Sequence, residues 1–149
     1  MGDATGRAFI SCTPERLYAR SGRFVASEAV AGTRPRGPAE LRPGVNDAQL
    51  LQALHPTPAV CGRPRDPALG WLQEAEGFDR GYYAGPFGWI SGAGAEWAVA
   101  IRSALVHPPQ SPSLTQQQQQ QTRLVDLFAG VGVVSGSEPA AEWAELDLK

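Results

Sequence analysis

Between residues 96 and 106 the side chains alternate, with Trp97, Val99, Ile101 and Leu105 on one side and Ala98, Ala100, Arg102 and Ala104 on the other. A period of two belongs to a strand with one buried face, so this stretch commits the chain to a sheet. Residues 82–90 read as a second strand, joined to it by the turn Ser91-Gly92-Ala93-Gly94. Arg102 stands among alanines, which leaves space around it and a reason to point inward. A partly buried arginine wants a carboxylate or phosphate that accepts two parallel hydrogen bonds, from a ligand or from the protein.

Toward the N-terminus, residues 7–12 form a short apolar strand that ends at Thr13-Pro14. After a turn at Arg20-Ser21-Gly22-Arg23, residues 24–30 return as its hairpin partner and deliver the small-residue turn Ala31-Gly32-Thr33. Residues 34–46, rich in proline, glycine and arginine, have no periodicity and read as a linker or junction. Residues 47–54 are a short helix with Leu50, Leu51 and Leu54 on one face, and it needs packing to persist. Residues 55–60, HPTPAV, are expected to be extended, since each proline fixes its own φ and restricts its predecessor. A further helix starts at Asp66-Pro67 and stops at Gly77. Residues 107–122 include a run of glutamines and read as a disordered insertion between two strands.

The chain of 149 residues is 42% hydrophobic and 19% charged, which suits one domain with a core. A net charge of -2 gives no basic footprint for nucleic acid. No apolar run approaches the length of a membrane span, and the opening residues lack the apolar centre of a signal peptide. Cys12 and Cys61 fit free thiols. Lys149 is the only lysine. A mechanism that needs a lysine base uses it or none, because arginine keeps its proton. Oligomeric state is left open.

The closing stretch, LVDLFAGVGVVSGSEPAAEWAELDLK, runs from a buried strand at residues 124–128 through Gly130 and Gly132 to a helix capped by Ser137 with Pro139 in its first turn. Glu138, Glu142, Glu145 and Lys149 recur every three or four residues and share one helical face. Such a stripe is either a solvated surface with a Glu145–Lys149 pair or a cation site. Mg2+ is held by one or two carboxylates while the substrate completes its shell.

Five segments occur in an order that carries more than any one of them: AFISCTPERLY followed by SEAVAGTRPRG, HPTPAVCGRPRDPALGWL, FDRGYYAGPFGWI, EWAVAIRSALV, and the closing stretch. Together they resemble the catalytic domain of the chorismate-utilising enzymes, and within that family they are most similar to isochorismate synthases. The resemblance implies an α+β fold, with antiparallel β-sheets packed together and helices outside, for a domain spanning residues 7–149. It implies chorismate as substrate, Mg2+ as cofactor, and conversion to isochorismate by adding water at one ring carbon while a hydroxyl leaves another.

By that resemblance Glu15 is the general acid for the leaving hydroxyl, a role that needs a carboxyl pKa raised by apolar surroundings. Glu145 is a metal ligand, and Glu142 is near enough to act directly or through water. Arg102 and Lys149 meet substrate carboxylate, Gly32 and Gly130 give backbone approach, and His55 and Tyr83 line the pocket. Ala59 favours water addition, where anthranilate-forming relatives carry threonine. Other chorismate-utilising activities (salicylate, anthranilate or aminodeoxychorismate synthase) are the alternatives, as is a non-catalytic remnant acting as an interaction protein.

The departures matter as much. The family's base lysine belongs upstream of the AFISCTPERLY motif, and its second metal glutamate belongs to a KDRxEH-like helix expected after AGTRPRG. Neither is in this sequence, so the chain is expected to be an incomplete form, inactive alone and prone to aggregate through unpaired strand edges. Plant and algal members are plastid proteins and bacterial ones cytoplasmic, which sets the two expected locations.

Overall fold

A computed structural model describes residues 2, 5–27, 38–109 and 122–149. The fold is α+β, with two antiparallel sheets and peripheral helices. The smaller sheet has the order β1-β7-β8, formed by Ala8–Ser11, Ser103–Val106 and Val125–Phe128. The larger has the order β4-β3-β2-β6-β5, formed by Ala39–Glu40, Phe24–Ala26, Arg16–Ser21, Gly94–Val99 and Pro86–Ile90. The helices are α1 (Asp47–Leu54), α2 (Pro58–Cys61), α3 (Arg65–Ala75) and α4 (Pro139–Leu146).

The alternation that opens the sequence reading is real but crosses from one sheet to the other. β6 and β7 are separate strands, and between them Arg102 takes a left-handed φ of 49°. The backbone is held through the crossing by bonds outside either ladder: Ala100 N–H donates to Gly85 O at 2.9 Å, and Cys12 N–H donates to Arg102 O at 3.0 Å. Arg102 is therefore exposed, and the expected inward-pointing arginine is corrected. The alternation carries no mark of this break, because the side chains keep their period of two while the backbone at residues 100–102 leaves both ladders.

Other expectations shift in similar ways. β1 pairs with β7, and the partner of β3 is β2, a strand the sequence reading missed. Arg16 and Arg20 hide the apolar period there, and a register irregularity between Arg16 and Tyr18 places Leu17 and Tyr18 both in the interior. Pro58 begins the helical turn α2 with Thr57 as its cap, so 55–60 is not extended throughout; a proline at the first helical position loses no bond. The cap of α4 is Glu138, one residue later than expected, and α3 begins at Arg65 rather than at Pro67. Within 34–46, Ala39 and Glu40 form a short edge strand on β3. Gly32 and residues 28–37 lie outside the described residues, as do residues 110–121 of the glutamine-rich insertion. The flanks of that insertion pair in register, Val106 with Val125, so it does join two strands of one sheet.

The core lies where α1 covers the larger sheet. Leu17, Tyr18, Ala95 and Val99 are buried there, with Leu50, Leu51 and Leu54 of α1 packed on them. α1 is fixed by a capping box, in which Asn46 accepts from Gln49 N–H and the Gln49 side chain accepts from Asn46 N–H. A buried polar clamp adds to this. Asp47 Oδ1 accepts from Tyr18 OH at 3.0 Å, and Arg20 donates to both Asp47 oxygens, the shortest contact being 2.8 Å.

Gly88 in β5 faces Trp97 of β6, and a Cβ on it would sit 2.0 Å from Glu96 O. That contact is with backbone and cannot be relieved by a side-chain rotation. Gly88→Ala is expected to lift β5 from the sheet at about 1–3 kcal/mol. Gly92→Ala, with open space around it, should cost far less. Denaturant melts of the two variants make the comparison, and equal midpoints would remove the steric argument.

Much apolar surface stays outside. Trp71, Trp89, Leu127 and Trp143 are all more than half exposed. Neither α3 nor α4 buries a single residue.

Candidate functional site

Two groups of side chains form around the ends of these elements. In the first, the chain enters β2 through Thr13-Pro14 and places Glu15 in the interior at 7% exposure. Val99 N–H donates to Glu15 O at 3.0 Å, which fixes the backbone against the end of β6. Its side chain accepts from Thr57 Oγ1 at 2.8 Å, so the carboxylate is tied to the HPTP segment at the start of α2. His55, two residues earlier, has a buried Nδ1 without a partner among the described residues. Burial, and then the nearby Arg65, hold its pKa below the usual histidine range, so the ring is neutral near pH 7. Ala59 is exposed on α2.

The second group gathers where β8 ends. Lys149 Nζ donates to Gly130 O at 2.9 Å and pairs with Glu145 Oε1 at 2.5 Å. The Tyr83 hydroxyl closes on the same glycine, where a Cβ would be 2.6 Å from its oxygen. A side chain at this position would have to displace the hydroxyl. The Tyr83 ring stacks on Phe128 with centroids 5.4 Å apart. Burial is the main cause that pushes the Tyr83 pKa up, with Arg80 opposing it.

Arg80 links the two groups. It lies over the Tyr83 ring, is held by Glu76, and donates to Val60 O of α2 at 2.7 Å. Thr57 and Arg80 were both missed in the sequence reading. Glu76 and Arg80 are four residues apart, a spacing that could have exposed the pair, but Gly77 between them reads as a helix stop. Nothing in the sequence pointed to Thr57.

The expected residues thus divide. Tyr83, Gly130, Glu145 and Lys149 come together, and Glu15 meets the segment that carries His55 and Ala59. Arg102 lies at the sheet crossing, exposed and joined to neither group. Gly32 lies outside the described residues. Among the described residues no three His, Cys, Asp or Glu side chains converge as a metal cluster. The available carboxylates for a cation are Glu142 and Glu145, three apart on α4. They suit the one or two protein ligands that Mg2+ takes when a substrate completes its shell. Glu145 would have to share itself between an ion and Lys149.

The chain matches the family described as chorismate binding enzyme over residues 1–40 and again over 38–149. It belongs to that family. It is 32% identical over 204 residues to isochorismate synthase 2, chloroplastic, of Arabidopsis thaliana, covering 95% of this chain and 34% of the relative. It is 40% identical over 210 residues to the isochorismate synthase MenF of Pasteurella multocida, covering 100% of this chain and 46% of the relative. The solved structure of DhbC from Bacillus anthracis superposes with a TM-score of 0.77 at 27% identity, over 97% of this chain and 52% of that one. The chain therefore spans about half or less of these relatives. An alignment of 210 residues against a chain of 149 leaves roughly sixty positions of the Pasteurella relative opposite nothing. The family match breaks and resumes at residues 38–40, where β4 begins.

Proposed function

We propose that this chain is the substrate-binding part of a Mg2+-dependent isochorismate synthase, short of a complete catalytic set. One observation carries the reading: Tyr83, Gly130, Glu145 and Lys149, from separated stretches of the sequence, meet at one place. The relatives named isochorismate synthases support chorismate as the substrate. Among them are plastid proteins, which supports a plastid location if the source is a plant or alga and a cytoplasmic one otherwise.

In this reading Glu15 donates a proton to the leaving hydroxyl, from a position fixed by Thr57 and the β6 backbone. Lys149 supplies positive charge to a substrate carboxylate, and Tyr83 with Gly130 shapes the wall beside it; Arg102, exposed at the sheet crossing, takes no part in this arrangement. Glu145, with Glu142, would hold Mg2+, which when bound offsets negative charge on the substrate. Ala59 keeps the entry side small and favours water over ammonia as nucleophile. The stretch of roughly sixty residues absent at 38–40 takes the KDRxEH-like helix with it, and with that helix a carboxylate ligand.

Loss of a single group of this kind commonly costs on the order of hundredfold in rate. The purified chain with chorismate and Mg2+ is therefore expected to form no isochorismate above the uncatalysed background. Reinsertion of the relative's extra stretch at residues 38–40, together with the relative's segment upstream of its AFISCTPERLY-like motif that carries the base lysine, is expected to give Mg2+-dependent product, read by chromatography. Turnover by the unaltered chain, or ammonia-dependent formation of anthranilate by the restored one, would overturn the reading.

A further inference from the structure

We propose that Arg80 is a positioning residue for the proton transfer: by holding the end of α2 it keeps Thr57 in place against Glu15. The proposal rests on the role given to Glu15 above.

α2 has little of its own to hold it. It is a single turn of four residues, of which only Cys61 is buried, with Val60 partly packed on the core. A cap threonine ordinarily turns its hydroxyl back onto the first N–H groups of its helix. Thr57 makes no such bond, and its hydroxyl donates to Glu15 Oε1 at 2.8 Å instead. At the other end, the carbonyls of a last helical turn have no partner within the helix. Arg80 meets one of them, where its Nη1 donates to Val60 O at 2.7 Å. The turn is thus tied at its start to Glu15 and at its end to Arg80, both from other parts of the chain.

The guanidinium is itself held. Glu76 accepts from Nε at 2.6 Å and from Nη2, which leaves Nη1 for Val60. Facing two partners at once needs a planar fork of donors, and a lysine has a single nitrogen. Arg80 also lies 5.8 Å from the centroid of the Tyr83 ring. Tyr83 has supports besides Arg80, since its ring stacks on Phe128 and its hydroxyl abuts Gly130. Loss of Arg80 therefore frees α2 and Thr57 while the Tyr83 and Lys149 side stays in place. Proton delivery suffers, and substrate binding does not.

Two measurements test this. In the unaltered chain, Arg80→Ala is expected to speed amide hydrogen exchange at Val60, Cys61 and Gly62 by about tenfold. Those N–H groups close the turn on Thr57 O and Pro58 O. Exchange in β2 and β6 should not change. The Arg80 side chain is 26% exposed, so guanidinium ion, added below denaturing concentration, can enter the vacated space and slow the exchange again. In the chain carrying both restored segments, Arg80→Ala should lower kcat by about tenfold, with KM within about twofold. Guanidinium should recover part of that rate. The loss should shrink to about twofold or less when Thr57 is already valine, because the two residues act along one route. Should Arg80→Ala fail to fold, Arg80→Lys keeps the charge beside Glu76 and is expected to show the same local pattern.

Unchanged exchange at α2, faster exchange throughout the chain with either variant, an undiminished kcat, or losses from Arg80→Ala and Thr57→Val that multiply would each overturn the proposal. A restored chain that forms no product with Arg80 in place would instead reject the assigned reaction. Faster exchange confined to α2 would then still support Arg80 as its anchor.

Discussion

Tyr18→Ala is expected to cost about 3–5 kcal/mol, the range for deleting a large buried aromatic side chain. For a chain of this size that is a fall in Tm of roughly 10 °C or more. Tyr18 has no exposed surface and sits where α1 closes on the larger sheet. Its hydroxyl donates to Asp47 Oδ1, so the variant opens a cavity and removes one partner of a buried carboxylate at once. Tyr18→Phe removes the hydroxyl alone and should cost about 1 kcal/mol. If the two variants melt alike, packing is not the larger part. Asp47 adds a pH dependence. Hydrogen bonds from Arg20, its largest cause, hold its folded pKa below the usual carboxylate range. The stability it contributes is then complete above an unfolded pKa of about 3.9 and fades as pH falls through the lower folded value. Asp47→Asn should flatten the acid limb of a Tm-against-pH curve below about pH 4.

Tyr18 also shows what the sequence could and could not disclose. Its strand was missed because Leu17 and Tyr18 are adjacent and both buried, which breaks the period of two. Where the period was intact, as in Trp97 and Val99, a strand was read correctly, although burial is not confined to that face, since Ala100 on the other is buried as well. α1 was legible to the residue from the shared face of Leu50, Leu51 and Leu54, and the structure adds a local capping box of Asn46 and Gln49 at its start. Arg102 failed for the opposite reason. Its place on an alanine face was a sound local inference, but the chain changes sheets there, and that change is set by Gly85 and Cys12, remote in sequence.

The site followed the same division. The order of motifs nominated Glu15, Tyr83, Gly130, Glu145 and Lys149, yet spacing alone could not bring Tyr83 against Gly130. That approach depends on how the turn before β5 meets the end of β8. The family resemblance supplied residue identities, and the fold supplied neighbours such as Thr57 and Arg80 that no motif named. The uncovered surface of α4 could not be read from its sequence either. Trp143 and Leu146 look like the apolar side of any packed helix, yet Trp143 is exposed and Leu146 only half-buried.

In a chain with both the missing stretch and the relative's upstream base-lysine segment restored, Glu15→Gln is expected to lower kcat by about hundredfold or more, with little change in KM. Glutamine keeps the shape of the side chain, and its carbonyl oxygen still accepts from Thr57, so the fold should tolerate it. What it cannot do is deliver a proton to a leaving hydroxyl. The competing role is structural: a buried carboxylate that ties β2 to the start of α2 through one hydrogen bond of 2.8 Å. A structural residue would show itself in Tm while leaving kcat nearly intact. Thr57→Val separates the two further, since it removes the tie and keeps the acid. If Glu15 is the proton donor, Thr57→Val should lose much less rate than Glu15→Gln while lowering Tm by more. If the two variants lose rate equally, the carboxylate acts only through its anchorage to the HPTP segment, and the proton must come from elsewhere in the completed site.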